Sequence, residues 1–144
     1  MFMGEFEHTV EENGRLAVPA KFRPAFADGL VVTRGLDRCL FVFTRGDWER
    51  LAERLSQLPL TSAEARSFVR LMFAGATDGE LDGQGRVVLP AYLREYADIR
   101  QQAVVIGVNT RVEIWSREAW RIARSQVEEQ ADFIAGKLAE LGII

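Results

Sequence analysis

At 144 residues, 48% hydrophobic and 27% charged, the chain has the composition of an ordinary folded protein, enough for one compact body or two small halves sharing a core. A formal net charge of −3 excludes a whole-molecule attraction to nucleic acid, so any such binding has to come from local basic patches. One cysteine and one histidine exclude an intramolecular disulfide, a multi-cysteine metal centre and a histidine triad within one chain.

The first predicted element is a strand, a tight polar turn and a returning strand. It reads Val10-Glu11-Glu12-Asn13-Gly14-Arg15-Leu16-Ala17-Val18-Pro19-Ala20. The stretch returns as Leu81-Asp82-Gly83-Gln84-Gly85-Arg86-Val87-Val88-Leu89-Pro90-Ala91, with Arg86 lying 71 positions after Arg15 and Gly75 the same distance after Gly4. A repeat in a chain this short implies two copies of one supersecondary unit, each presenting the same tip. Gly14 and Gly85 supply backbone able to take positive φ. Glu11 and Asp82 can accept turn N–H bonds or pair with the arginine four residues on. Pro19 and Pro90 end the returning strands and suit the start of short helices.

Strands are next expected at Leu30–Thr33 and Leu40–Phe43, then at 103–106 and 112–115. Thr44 and Ser116 stand where helix N-caps belong. Trp48, Leu51, Leu55 and Leu58 share one helical face, and Pro59 stops that helix. Thr61 with Glu64 reads as a capping box opening a connecting helix that carries Phe68, Leu71 and Met72. A longer amphipathic helix runs from about 117 to 141 through Trp120, Ala123, Val127, Ala131, Ile134, Leu138 and Leu141. Core packing against the Trp48 helix is its default use, with the distal part available to a neighbouring subunit. Each copy alone is too small for an adequate core, so the two are expected to pack or interleave into one α+β body.

Other constellations carry no chemistry. Asp78-Gly79-Glu80-Leu81-Asp82-Gly83 resembles the opening of a calcium loop, but the closing glutamate position is Leu89. His8 reads as a strand-surface residue and Cys39, in an apolar run, as a buried thiol. No nucleophile–base set or phosphate loop is present, so no enzyme activity, cofactor, metal or small-molecule substrate is expected. No signal segment or membrane span is read, and a cytosolic protein is expected.

Charge singles out the tips. Residues 13–27 contain no acid but hold Arg15, Lys21 and Arg23, and residues 83–94 contain no acid but hold Arg86 and Arg94. Arg15 and Arg86 are the candidate base readers, since a guanidinium fork matches guanine O6 and N7. Asn13 and Gln84 are candidates for neighbouring base edges or phosphates, and Lys21, Arg23 and Arg94 for phosphate anchoring. A rival reading is an interaction or scaffold module in which the tips make subunit contacts.

Asp-x-x-Gly-Arg before an apolar triplet and Pro-Ala resembles the swapped-hairpin AbrB/SpoVT transcription-factor fold. Two such tips, a tryptophan after each unit's last strand (Trp48, Trp120) and the opening Met1-Phe2-Met3-Gly4 closely resemble the MraZ family over essentially the whole chain. The resemblance implies two pseudo-symmetric β-units around a shared barrel-like core, at 4–51 and 75–122. A connecting helical segment at 52–74 and a C-terminal helix at 123–144 complete that division. It also implies a regulator binding double-stranded DNA, a repressor at the promoter of the division and cell-wall gene cluster. Ring-like homo-oligomers on short guanine-rich direct repeats, in the cytoplasm at the nucleoid, belong to the same expectation. The motif acids map onto Asp82 and, as a substitution, Glu11.

Overall fold

A computed structural model describes residues 1–144. The elements are β1 (Phe2–Thr9), β2 (Arg15–Ala17), a 3-10 helix (Ala20–Phe26), β3 (Leu30–Arg34), β4 (Leu40–Thr44), α1 (Arg45–Ser56) and α2 (Ala63–Ala74). The second copy follows with β5 (Thr77–Gly79), β6 (Arg86–Val88), α3 (Ala91–Tyr96), β7 (Gln102–Asn109), β8 (Arg111–Ser116) and α4 (Arg117–Glu140).

The two copies interleave within one chain. A six-stranded antiparallel sheet runs β1-β7-β8-β4-β3-β5, so the first strand of each copy pairs with a strand of the other. β2 and β6 pair only with each other, as a separate two-stranded ribbon. Leu16 pairs with Val87 and Phe41 with Glu113, and each pair joins corresponding residues of the repeat. A pseudo-twofold axis therefore passes through both pairs.

Three layers result. Alternate residues of the apolar strands face opposite ways. Leu40, Val42, Ala103 and Val105 join a core of 19 buried residues with Leu16 and Val87 of the ribbon, Phe22 and Phe26 of the 3-10 helix and Leu93 of α3. Phe41, Phe43, Val104 and Ile106 join a second core of eight, against which Trp48, Phe68 and Trp120 pack from α1, α2 and α4. Both faces of the sheet are covered, which is why β3, β4 and β7 carry apolar runs, while β8 also buries Glu113, which accepts from Trp115 Nε1 at 2.9 Å.

Several details differ from the sequence reading. The β-core is not a closed barrel, because β1 and β5 remain free edges and the three-residue β2 and β6 pair as strands only with one another. The tips are not self-contained hairpins, since each returning strand is captured by the other copy. Thr44 and Ser116 cap α1 and α4 as expected, accepting from Asp47 N at 3.1 Å and Ala119 N at 3.1 Å. For α2 the cap is Ser62 rather than Thr61, accepting from Ala65 N at 3.2 Å.

The largest difference lies in α4. It buries no residue, and Val127, Phe133 and Leu141 stay exposed, because the helix leaves the sheet after Ala123 instead of packing on α1. At about 1.5 Å per residue its 24 residues extend well past the body.

Candidate nucleic-acid interface

Each tip is a turn locked by backbone bonds that repeat across the pseudo-twofold. Glu11 N donates to Arg15 O at 3.0 Å and Gly14 N to Glu11 O at 2.8 Å. Asp82 N donates to Arg86 O at 2.9 Å and Gly85 N to Asp82 O at 3.0 Å. Gly14 and Gly85 take φ of +85° and +76°, conformations that L side chains rarely adopt. The ribbon is closed at its ends by Val18 N to Gly85 O at 2.9 Å and Leu89 N to Gly14 O at 2.8 Å.

Alternation along β2 and β6 sorts their side chains. Leu16 and Val87 enter the core, so Arg15, Ala17, Arg86 and Val88 share the outward face. Arg15 lies opposite Val88 and Arg86 opposite Ala17. The two arginines thus occupy one diagonal of a rigid ribbon and two apolar residues the other.

The arginines are not equivalent. Arg86 Nε donates to Asp82 Oδ2 at 2.9 Å, and its Nη1 donates to both Glu11 oxygens at 3.0 Å. Arg15 only approaches Asp82, with Nε 3.9 Å from Oδ2. Their side chains are 28% and 40% exposed respectively. The stretches free of acid in sequence are therefore not free of acid in space, because each tip's leading carboxylate lies within reach of the ribbon.

Asp82 has two tasks. Its Oδ1 accepts from Gln84 N at 2.9 Å and Arg86 N at 3.0 Å while Oδ2 holds the guanidinium. The Arg86 backbone N–H, with Gln84 N–H and the Arg86 side chain, holds its carboxyl below the usual aspartate range. The Asp82 hydrogen bond raises Arg86 in turn. In the first tip the turn-holding task passes to Asn13, whose Oδ1 accepts from Arg15 N at 3.2 Å.

The other sequence candidates have different local partners. Gln84 stands exposed at the second turn. Arg23 and Arg94 are half-buried, and their Nε groups donate to Val18 O at 2.8 Å and Leu89 O at 2.9 Å. They brace the strands that follow Arg15 and Arg86, which sequence spacing did not reveal. Lys21 lies over the Phe6 and Phe22 rings, 5.2 and 5.7 Å from their centroids. His8 is half-buried on β1, and burial with the nearby Arg23 lowers it from its usual value. Cys39 is buried and its thiol is pushed up by burial. No helix is long and apolar enough to cross a membrane.

Comparison with known proteins agrees with the repeat. The model of the MraZ family, described as "MraZ protein, putative antitoxin-like", matches residues 1–71 and again 72–139. The chain belongs to the MraZ family. Relatives carrying the name transcriptional regulator MraZ include one from Desulfitobacterium hafniense, 51% identical over 143 residues, covering 99% of this chain and 100% of the relative. Another, from Roseiflexus castenholzii, is 50% identical over 141 residues, covering 98% and 99%. A third, from Alkaliphilus oremlandii, is 48% identical over 143 residues, covering 99% and 100%. MraZ is thus a family of regulators, not of enzymes.

Proposed function

We propose that this protein is a sequence-specific DNA-binding transcriptional regulator that lays the β2–β6 ribbon into the major groove. The observation that carries the reading is the pair of arginines leaving one outward face of a stiff two-stranded ribbon. B-DNA's major groove admits such a ribbon. Diagonal positions across it sit about 7–8 Å apart, about two base-pair rises, so the two forks address different base pairs. Asp82 grips Arg86 through Nε, which leaves the two terminal nitrogens for guanine O6 and N7 once Glu11 swings off Nη1.

Gln84 and Asn13 border this face and reach neighbouring bases or phosphates. Lys21 anchors phosphate, while Arg23 and Arg94 add positive charge through their terminal nitrogens and keep Nε on the backbone. Each bidentate contact discriminates by about 1–3 kcal/mol, so one chain reads little sequence. A ring-like homo-oligomer on short guanine-rich direct repeats multiplies that specificity. The uncovered apolar residues of α4 suit a neighbouring subunit. In this reading the protein acts as a repressor at the promoter of the division and cell-wall gene cluster, in the cytoplasm at the nucleoid, as the resemblance to MraZ implies.

Selection of bound duplexes from random DNA, followed by salt titration of the winner, tests this. Affinity is expected to fall log-linearly with salt, and Lys21→Ala to weaken all sequences alike. A salt-independent interaction, or no enriched sequence, overturns it. The module of subunit contacts would then stand, a reading favoured by the two carboxylates already on Arg86.

A further inference from the structure

The outward face of the ribbon holds an apolar residue that the fold does not use. Val88 is 50% exposed, although the next residue before it, Val87, is buried at 2%. Its position, opposite Arg15 and two residues after Arg86, sets a branched apolar side chain on the face from which both arginines leave. Its counterpart across the pseudo-twofold is Ala17, opposite Arg86 and half-buried. One diagonal corner of the face therefore carries two methyl groups more than its mate.

We infer that Val88 is a specificity-determining residue that packs on the 5-methyl group of a thymine beside the base pair taken by Arg15. This rests on the major-groove reading above. Among the four bases only thymine presents an apolar group in that groove, and it is matched by apolar side chains rather than hydrogen-bonding ones. A half-exposed valine gains from the contact the water-excluded area it lacks in the free protein. The valine methyls extend beyond the alanine Cβ, so the Ala17 corner leaves its base pair unread. The two copies of the repeat thus read unequal sequences: a guanine with an adjoining thymine near Arg15, and a guanine alone near Arg86.

The test uses the full chain and the duplex recovered by selection, with deoxyuridine replacing thymine one position at a time. Fluorescence anisotropy at fixed salt reads the affinity. Wild type is expected to lose about three- to five-fold at one position per bound repeat, the worth of burying one methyl-sized group. Val88→Ala should bind thymine and deoxyuridine duplexes equally, with an unchanged melting temperature. Ala17→Val should acquire a second sensitive position. Indifference of wild type to every deoxyuridine, or retained sensitivity in Val88→Ala, overturns the inference while leaving DNA binding intact. Failure to bind any duplex overturns both together.

Discussion

The first and second tips share backbone geometry and differ in how they hold their arginine. Arg86 is pinned by its own Asp82 and by Glu11 from the other copy, whereas Arg15 has only a 3.9 Å approach to Asp82. Two differences between the tips accompany it, Glu11 for Asp82 and Asn13 for Gln84. An aspartate at the tip is short enough to accept two backbone N–H groups and still grip its own arginine. A glutamate at the same place reaches across the ribbon instead, and Asn13 takes over the turn. A duplicated motif therefore yields one pre-organised reader and one adaptable one.

The strongest way to break that comparison is to remove each reader. Arg86→Ala and Arg15→Ala are each expected to lower specific affinity by about 1–3 kcal/mol. The loss should be larger for Arg86, whose Nε is already held by Asp82 in the free protein, even though Glu11 must leave its Nη1. Competition gel shifts on one duplex rank the two, and a larger loss at Arg15 inverts the comparison.

Next in size come the turn glycines. Alanine at either position forces a left-handed backbone, costing about 1–2 kcal/mol. Gly14→Ala should cost more than Gly85→Ala. A new Cβ at Gly14 meets the Leu89 carbonyl oxygen, fixed at the end of the ribbon, while one at Gly85 meets first the Arg23 side chain, which can yield by giving up its bond to Val18 O. Urea unfolding of the two variants measures the difference.

A smaller effect sharpens the role of Glu11. Glu11→Gln removes a negative charge that both repels phosphate and occupies Arg86 Nη1, so affinity should rise severalfold with little change in melting temperature. An affinity loss would make Glu11 a support of Arg86 instead of its competitor.

The smallest effect is in acid. Asp82 titrates lower in the folded chain than in the unfolded one, so its contribution is complete above the ordinary aspartate range. It is lost as pH falls through that range and below it, where the folded carboxyl finally protonates. Thermal melts across this window should fall less steeply for Asp82→Asn than for wild type.

Much of this arrangement was legible in the residues. The 71-residue offset announced two copies, and the N-caps at Thr44 and Ser116 placed two helices. Strand alternation separates outward Arg15 from inward Leu16. The bracing by Arg23 and Arg94 was hidden, because a basic residue beside a tip looks the same whether its Nε meets phosphate or a backbone carbonyl. The course of α4 was hidden too, since an apolar helical face has the same pattern whether its own chain covers it or not.

By itself the sequence determined that two equivalent tips exist, which elements flank them and which side of each strand is apolar, because these follow from local backbone preference and periodicity. Only the tertiary structure decided that β2 pairs with β6 and that Glu11 crosses to an arginine 75 positions away. Those contacts arise from closing the pseudo-twofold, and closure depends on which distant strands cover each other's apolar faces.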